Sequence, residues 1–417
     1  MARLAIEQGP TVALPRRFLH GVAAWGVYAA LVAWIGGDAM LRTRWHPATL
    51  AFTHAITLGV LGNAMFGSLL QFLPAAAGVR LRFVERLGGP LHALLNIDAI
   101  ALCLGLHASS PVLLLLASTA LPAAFALLAV IIVPGLLAAS GQRLLRAGIS
   151  AALLAGSATA VLGLLLASAR AGHPLAAVAW PASVDVHAAL GVLGWVLLLV
   201  ASIARVVMPM FQDSARLPAP ALATWLVFSI AGLLAGAWIH LGTADAGLLR
   251  GVGVLAILAF ASAGLLLQWR GSRARGDALR AYWAAGFLAL AAAAIALARG
   301  EDMLAGMLII GIGLPLLVVG MLLQICAFLA WIDLHRRCGR GMRVPGVQQL
   351  LPESPRWQVL GLLLASALLA LVSAGRPEAW WVRAAALAMA LAYLRLALAL
   401  HDVRRRAGRF VARREPA

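Results

Sequence analysis

Two histidines head nearly the same run of small and aliphatic residues: THAITLGVLG spans 53–62 and VHAALGVLG spans 186–194. An imidazole placed inside an apolar segment costs free energy unless something there binds it. Neutral imidazole is an ordinary axial ligand of haem iron and a good ligand for copper. Helix bundles build such centres from inward-facing side chains on separate helices. His54 and His187 are therefore candidate haem or metal ligands, with His240 as a third or copper ligand. The competing reading gives each imidazole an interhelical hydrogen bond, a common use of polar side chains in membrane bundles.

The elements that must position these rings follow from composition. The chain has 417 residues, of which 63% are hydrophobic and 12% charged, with a mean hydropathy of +0.94. Soluble domains carry roughly 25% charged residues, so a polytopic membrane protein is expected. Apolar runs long enough to cross a hydrocarbon core of about 30 Å can be counted twelve times, among them 19–40, 48–74, 181–211, 302–334 and 379–402. They are rich in Leu, Ala and Gly and lack the alternation of barrel strands. The fold class expected is all-α: a single twelve-helix transmembrane bundle over 19–402, with a cytoplasmic segment over 1–18 and a basic cytoplasmic tail over 403–417. No soluble domain, flexible linker or cleavable leader is expected.

All 33 basic residues are arginine, and their placement sets orientation. With the N-terminus in the cytoplasm, the inner segments hold most of them, from Arg3, Arg16 and Arg17 through Arg273, Arg275, Arg340 and Arg356 to the tail over 404–414. The outer loops hold only Arg42, Arg44, Arg170, Arg250, Arg299 and Arg376. This asymmetry predicts both termini inside, in a bacterial cytoplasmic membrane. The net charge of +18 then reflects topology, and no basic soluble surface remains for nucleic acid. Cys103, Cys326 and Cys338 form no C-x-x-C pair, so neither a thiol redox couple nor covalent c-type haem is expected.

Orientation gives the histidines depths. His54 falls about 9 Å below the outer surface at ~1.5 Å rise per residue. His187 reaches nearly the same depth, and His240 lies near the outer end of the seventh run. At 100° per residue, Gly191 and Gly194 share the face of His187, which would leave space for a flat macrocycle or a close helix. Arg42, Arg44 and Trp45 stand above this layer. They could bind haem propionates by charge-assisted hydrogen bonds or form an interfacial basic and aromatic belt. Asp98 is the carboxylate nearest the middle of a run, where proton transfer competes with a structural role.

HPATLAFTHAITLGVLGNAMFGSLLQFLP, DVHAALGVLGWVLLLVASIARVVMPMF and LLQICAFLAWIDLHRRCGRGMRVPGVQQLLPESP resemble bacterial membrane proteins similar to subunit I of the haem–copper oxidases, and more distantly the NnrS haem–copper proteins linked to nitric oxide. The resemblance implies a haem b site with His54 as a haem ligand and His187 as a metal or haem ligand, copper as a second metal, and a respiratory or denitrification redox partner in the lipid bilayer. Respiratory oxidases carry a histidine pair in the seventh span and two histidines in the tenth, where this chain has His240 alone and none before His335. Any enzymatic activity would therefore be that of a haem-dependent oxidoreductase and not of a proton-pumping oxygen reductase. The alternatives are a transporter whose histidines line a substrate or proton path, and a non-catalytic assembly subunit.

Overall fold

A computed structural model describes residues 9–271, 277–338 and 342–412. Arg3, Arg273, Arg275, Arg340, Arg413 and Arg414, all assigned above to inner segments, lie outside the described residues.

Twelve helices are long and apolar enough to cross a membrane: α1 Ala13–Gly36, α2 Pro47–Ala77, α3 Val84–Ala108, α4 Pro111–Ala138, α5 Arg143–Arg170, α6 Ala182–Gln212, α7 Ala219–Thr243, α8 Gly247–Trp269, α9 Ala278–Ala298, α10 Asp302–Cys338, α11 Glu353–Gly375 and α12 Ala379–Ala412. The hydrocarbon phase offers no hydrogen-bond partner, so a spanning segment must satisfy its own backbone, and a helix does so. Starts carry the expected signals. His46 accepts the Ala48 N–H at 3.3 Å ahead of Pro47, and proline occupies the first turns of α4 and α7, where its missing N–H is harmless. Leu137 and Trp238 are 79% and 81% exposed, as suits faces turned to lipid. The protein is a multi-pass membrane protein.

Two helices exceed the predicted limits by the most. The first begins at Ala13 and takes in Arg16 and Arg17, and the last continues to Ala412 through most of the basic tail. Arginine is a good helix former, and its long side chain carries charge to the interface while the backbone remains helical.

Three stretches depart from α geometry: Ala55–Gly62 in α2, Leu190–Leu197 in α6 and Met307–Gly313 in α10 are π-helical. They recur at every fourth span. The same three spans are the most buried, at 78%, 61% and 72% of their apolar windows against 22–56% in the others. Moving from i→i+4 to i→i+5 bonding leaves a backbone carbonyl short of its usual donor. In α2 the buried amide of Asn63 supplies one, donating Nδ2–H to the Gly59 carbonyl at 3.0 Å. π-Turns inside α-helices concentrate at functional sites.

The chain divides into two compact units, Met1–Ala76 with Asp277–Trp283 and Leu314–Ala417, and Ala77–Gly276 with Ala284–Gly313. In the first, α1 packs against α2 and α12, and α12 also packs against α10 and α11. Arg356 is buried here although its type suggests the inner surface: Nη1 donates to Gln324 Oε1 at 2.7 Å, Nη2 to the Leu351 carbonyl at 3.3 Å, and Glu353 lies 3.8 Å from Nε. Glu353 in turn accepts the Ala278 N–H at 3.0 Å, and Tyr282 donates to the Arg356 carbonyl at 3.2 Å. This network ties the start of α9 to α10 and α11.

Asp277 completes that start by accepting the Arg280 N–H at 2.8 Å, as an N-cap residue does. Burial, reinforced by the charge of Glu353, raises its carboxyl above the usual range. A carboxyl raised on folding favours the folded state below its unfolded pKa, and that contribution is lost as pH rises through the folded value. Asp277→Asn, which keeps the acceptor, is expected to flatten this fall in thermal midpoint across mildly acidic pH. Asp277→Ala is expected to lose about 1 kcal/mol through the cap. Thermal unfolding in detergent over a pH series checks both.

In the second unit, successive helices from α3 to α8 pack as neighbours. The segment before α3 also lies on α4, where the Arg82 N–H donates to the Ile131 carbonyl at 3.0 Å; from the start of α5, Arg146 donates to the Leu136 carbonyl. Gly135 allows this approach: a Cβ there would stand 2.2 Å from the Arg80 carbonyl oxygen. Asp98 is fully buried, and neither carboxyl oxygen has a well-formed hydrogen bond; the Leu121 backbone is its polar neighbour.

Candidate functional site

His54 ends the regular α turn of α2 immediately before the first π-helical stretch. Its ring is half-buried, and Nδ1 lies 2.8 Å from the Leu50 carbonyl oxygen, one turn back on the same helix. A carbonyl can only accept, so in the neutral ring the proton sits on Nδ1 and the basic lone pair on Nε2. His187 reaches the same electronic state from a different neighbour. Its Nδ1 lies 3.1 Å from the Thr159 carbonyl of α5, and the π-helical stretch begins three residues later. Gly163 on α5 makes room for the ring, since a Cβ there would come within 3.1 Å of His187 Cε1.

His240 is buried in α7, with Nε2 3.1 Å from Asp185 Oδ2 on α6. An ionised carboxylate accepts the Nε2 proton, and the lone pair then falls on Nδ1, which is buried with no hydrogen-bond partner. An imidazole held through one nitrogen by a carboxylate and offering the other is the usual arrangement of a metal-ligating histidine. Among the described residues, no group of three or more His, Cys, Asp or Glu side chains stands at metal-binding separation, whereas axial haem ligation asks the protein for one or two. The donor chemistry at all three imidazoles fits an iron or copper ligand.

The first unit contains His54, Arg42, Arg44 and Trp45; the second contains His187 and His240, with Asp185 bridging α6 to α7. In the first connecting loop, Arg42 donates to Asp38 Oδ2 at 2.7 Å, and Arg44 lies over the Trp45 ring at 4.6 Å. The Arg42 hydrogen bond holds the Asp38 carboxyl below its ordinary range. These contacts give the three residues a local structural use.

The glycines beside the histidines serve helix packing. A Cβ at Gly194 would stand 2.7 Å from the Ala155 Cβ on α5, and one at Gly59 would stand 2.3 Å from the Trp25 ring on α1. Gly191 and Gly194 turn toward α5, as His187 does: a Cβ at Gly191 would stand 3.3 Å from Thr159 Cγ2, beside the carbonyl that His187 meets. Gly194 faces Ala155 one turn away, so the space the two glycines leave is taken up by that close helix. Sequence reasoning also passed over Thr159, Gly163 and Asp185. Asp185 left a legible signal, an acid two residues before His187 at the mouth of a span; backbone acceptors such as Thr159 leave none.

What the helices and their hydropathy define is an all-α, multi-pass membrane protein. No protein-family model and no curated protein matches the chain.

Proposed function

We propose that the chain is a haem b-binding protein of the bacterial cytoplasmic membrane, similar to subunit I of the haem–copper oxidases, that acts in electron transfer or in nitric oxide and respiratory metabolism. The observation that carries this reading is shared by two separate helices: a backbone carbonyl at Nδ1 leaves Nε2 of His54 and of His187 as the basic nitrogen. Such a carbonyl fixes ring orientation and raises ligand basicity. Nε2 of each ring would donate to haem iron, and Nδ1 of His240, oriented by Asp185, would donate to copper. Bound haem would supply one-electron exchange at iron. The arginine asymmetry supports an orientation with both termini in the cytoplasm and a redox partner within or beside the bilayer.

The test is an optical spectrum with metal analysis on protein purified in detergent from haem-supplied cells, recorded oxidised and then reduced. A Soret band that shifts on reduction is expected. Protein without a Soret band, active as a carrier in proteoliposomes, would replace this reading with that of a transporter.

A further inference from the structure

In the first unit, α1, α10 and α12 enclose a cavity of about 220 Å³. Three guanidinium groups line it, those of Arg16, Arg337 and Arg404, together with His20 and the single carboxylate of Asp333. Asp333 is already engaged twice, 3.6 Å from Arg16 and 3.1 Å from Arg337. Among the described residues Arg404 has no carboxylate partner. The remaining wall is apolar, formed by side chains such as Leu329, Leu400 and Val403. A partly apolar cavity with guanidinium in excess suits an anion that carries an organic body, and arginine favours phosphate through paired N–H donors. We infer that this cavity binds a phosphate group, with Arg404 and Arg337 as its principal donors. Its position among span ends rich in arginine makes the phosphodiester of an anionic phospholipid the matching source, because basic pockets between membrane helices on the cytoplasmic side take such headgroups.

The site is independent of haem and is tested without it. Delipidated full-length protein in detergent is titrated with phosphatidylglycerol, phosphatidylcholine or inorganic phosphate, and bound ligand is counted by native mass spectrometry. Phosphatidylglycerol is expected to bind more tightly than phosphatidylcholine, and affinity is expected to fall about tenfold or more in Arg337→Gln/Arg404→Gln. The single variant Arg404→Gln, which breaks no ion pair, is expected to show part of the same loss, and Arg405→Gln, outside the cavity, none. Saturable binding of inorganic phosphate lost in the same variants supports the phosphate site with a soluble anion as its source. Equal binding of the two lipids without phosphate binding, or equal losses in Arg405→Gln and Arg404→Gln, overturns the inference.

Discussion

His187→Ala is expected to strip haem from the purified protein, lowering the Soret absorbance per polypeptide about tenfold or more while the chain still accumulates in the membrane. Loss of groups that merely orient a ligand costs about 10–100-fold in metal affinity, and loss of the ligand itself should cost at least as much. The ring is half-buried, and its Nδ1 faces a carbonyl on the neighbouring helix. Alanine therefore leaves a small gap and no buried charge, and folding should survive. Asp185→Asn supplies the contrast. It weakens the hold on His240 Nε2 and should lower copper content while leaving the Soret band. Wild-type haem content in His187→Ala protein of unchanged thermal midpoint would remove His187 from the proposed ligand set.

The second large effect is structural. Gly135→Ala is expected to cost about 3 kcal/mol, at the upper end of the usual range for overpacking. The added methyl would meet the Arg80 carbonyl oxygen at 2.2 Å. A flexible side chain could swing aside, but a backbone oxygen moves only with its segment, and that segment is pinned by the Arg82 N–H on the Ile131 carbonyl. Reduced yield and a lower unfolding midpoint in detergent would register the clash. A midpoint equal to that of the wild type would show that the segment before α3 does not lie on α4 as described.

Much of the fold is legible in the sequence because the hydrocarbon thickness acts as a ruler. The run expected over 181–211 is a helix over Ala182–Gln212, and the run over 379–402 begins at Ala379. The ruler fails where arginine allows a helix to outlast its apolar part, as at Arg16 and Arg17 and beyond residue 402. Histidines as candidate donors are equally visible, since polar rings are rare in apolar runs. For two of them the chemistry is hidden because it depends on partners distant in the chain: Thr159 lies 28 residues from His187, and Asp185 lies 55 from His240. Arg356 illustrates the same limit. Counted by type it is an inner-surface cation, but Gln324, Leu351 and Glu353 make it an internal connection.

The π-helical stretches after His54 and His187 also bear on how such a protein can be altered. A π-helical stretch turns less per residue than an α-helix and so takes up an extra residue within its widened turns. Deleting one residue within Ala55–Gly62 is therefore expected to restore ordinary winding while leaving the α-helical turns on either side close to their present phase. The same deletion a few residues further on, in the regular helix over Asn63–Ala77, would turn everything beyond it by about 100°. The widened turns thus act as local slack, and tolerance of a one-codon deletion should be greatest there.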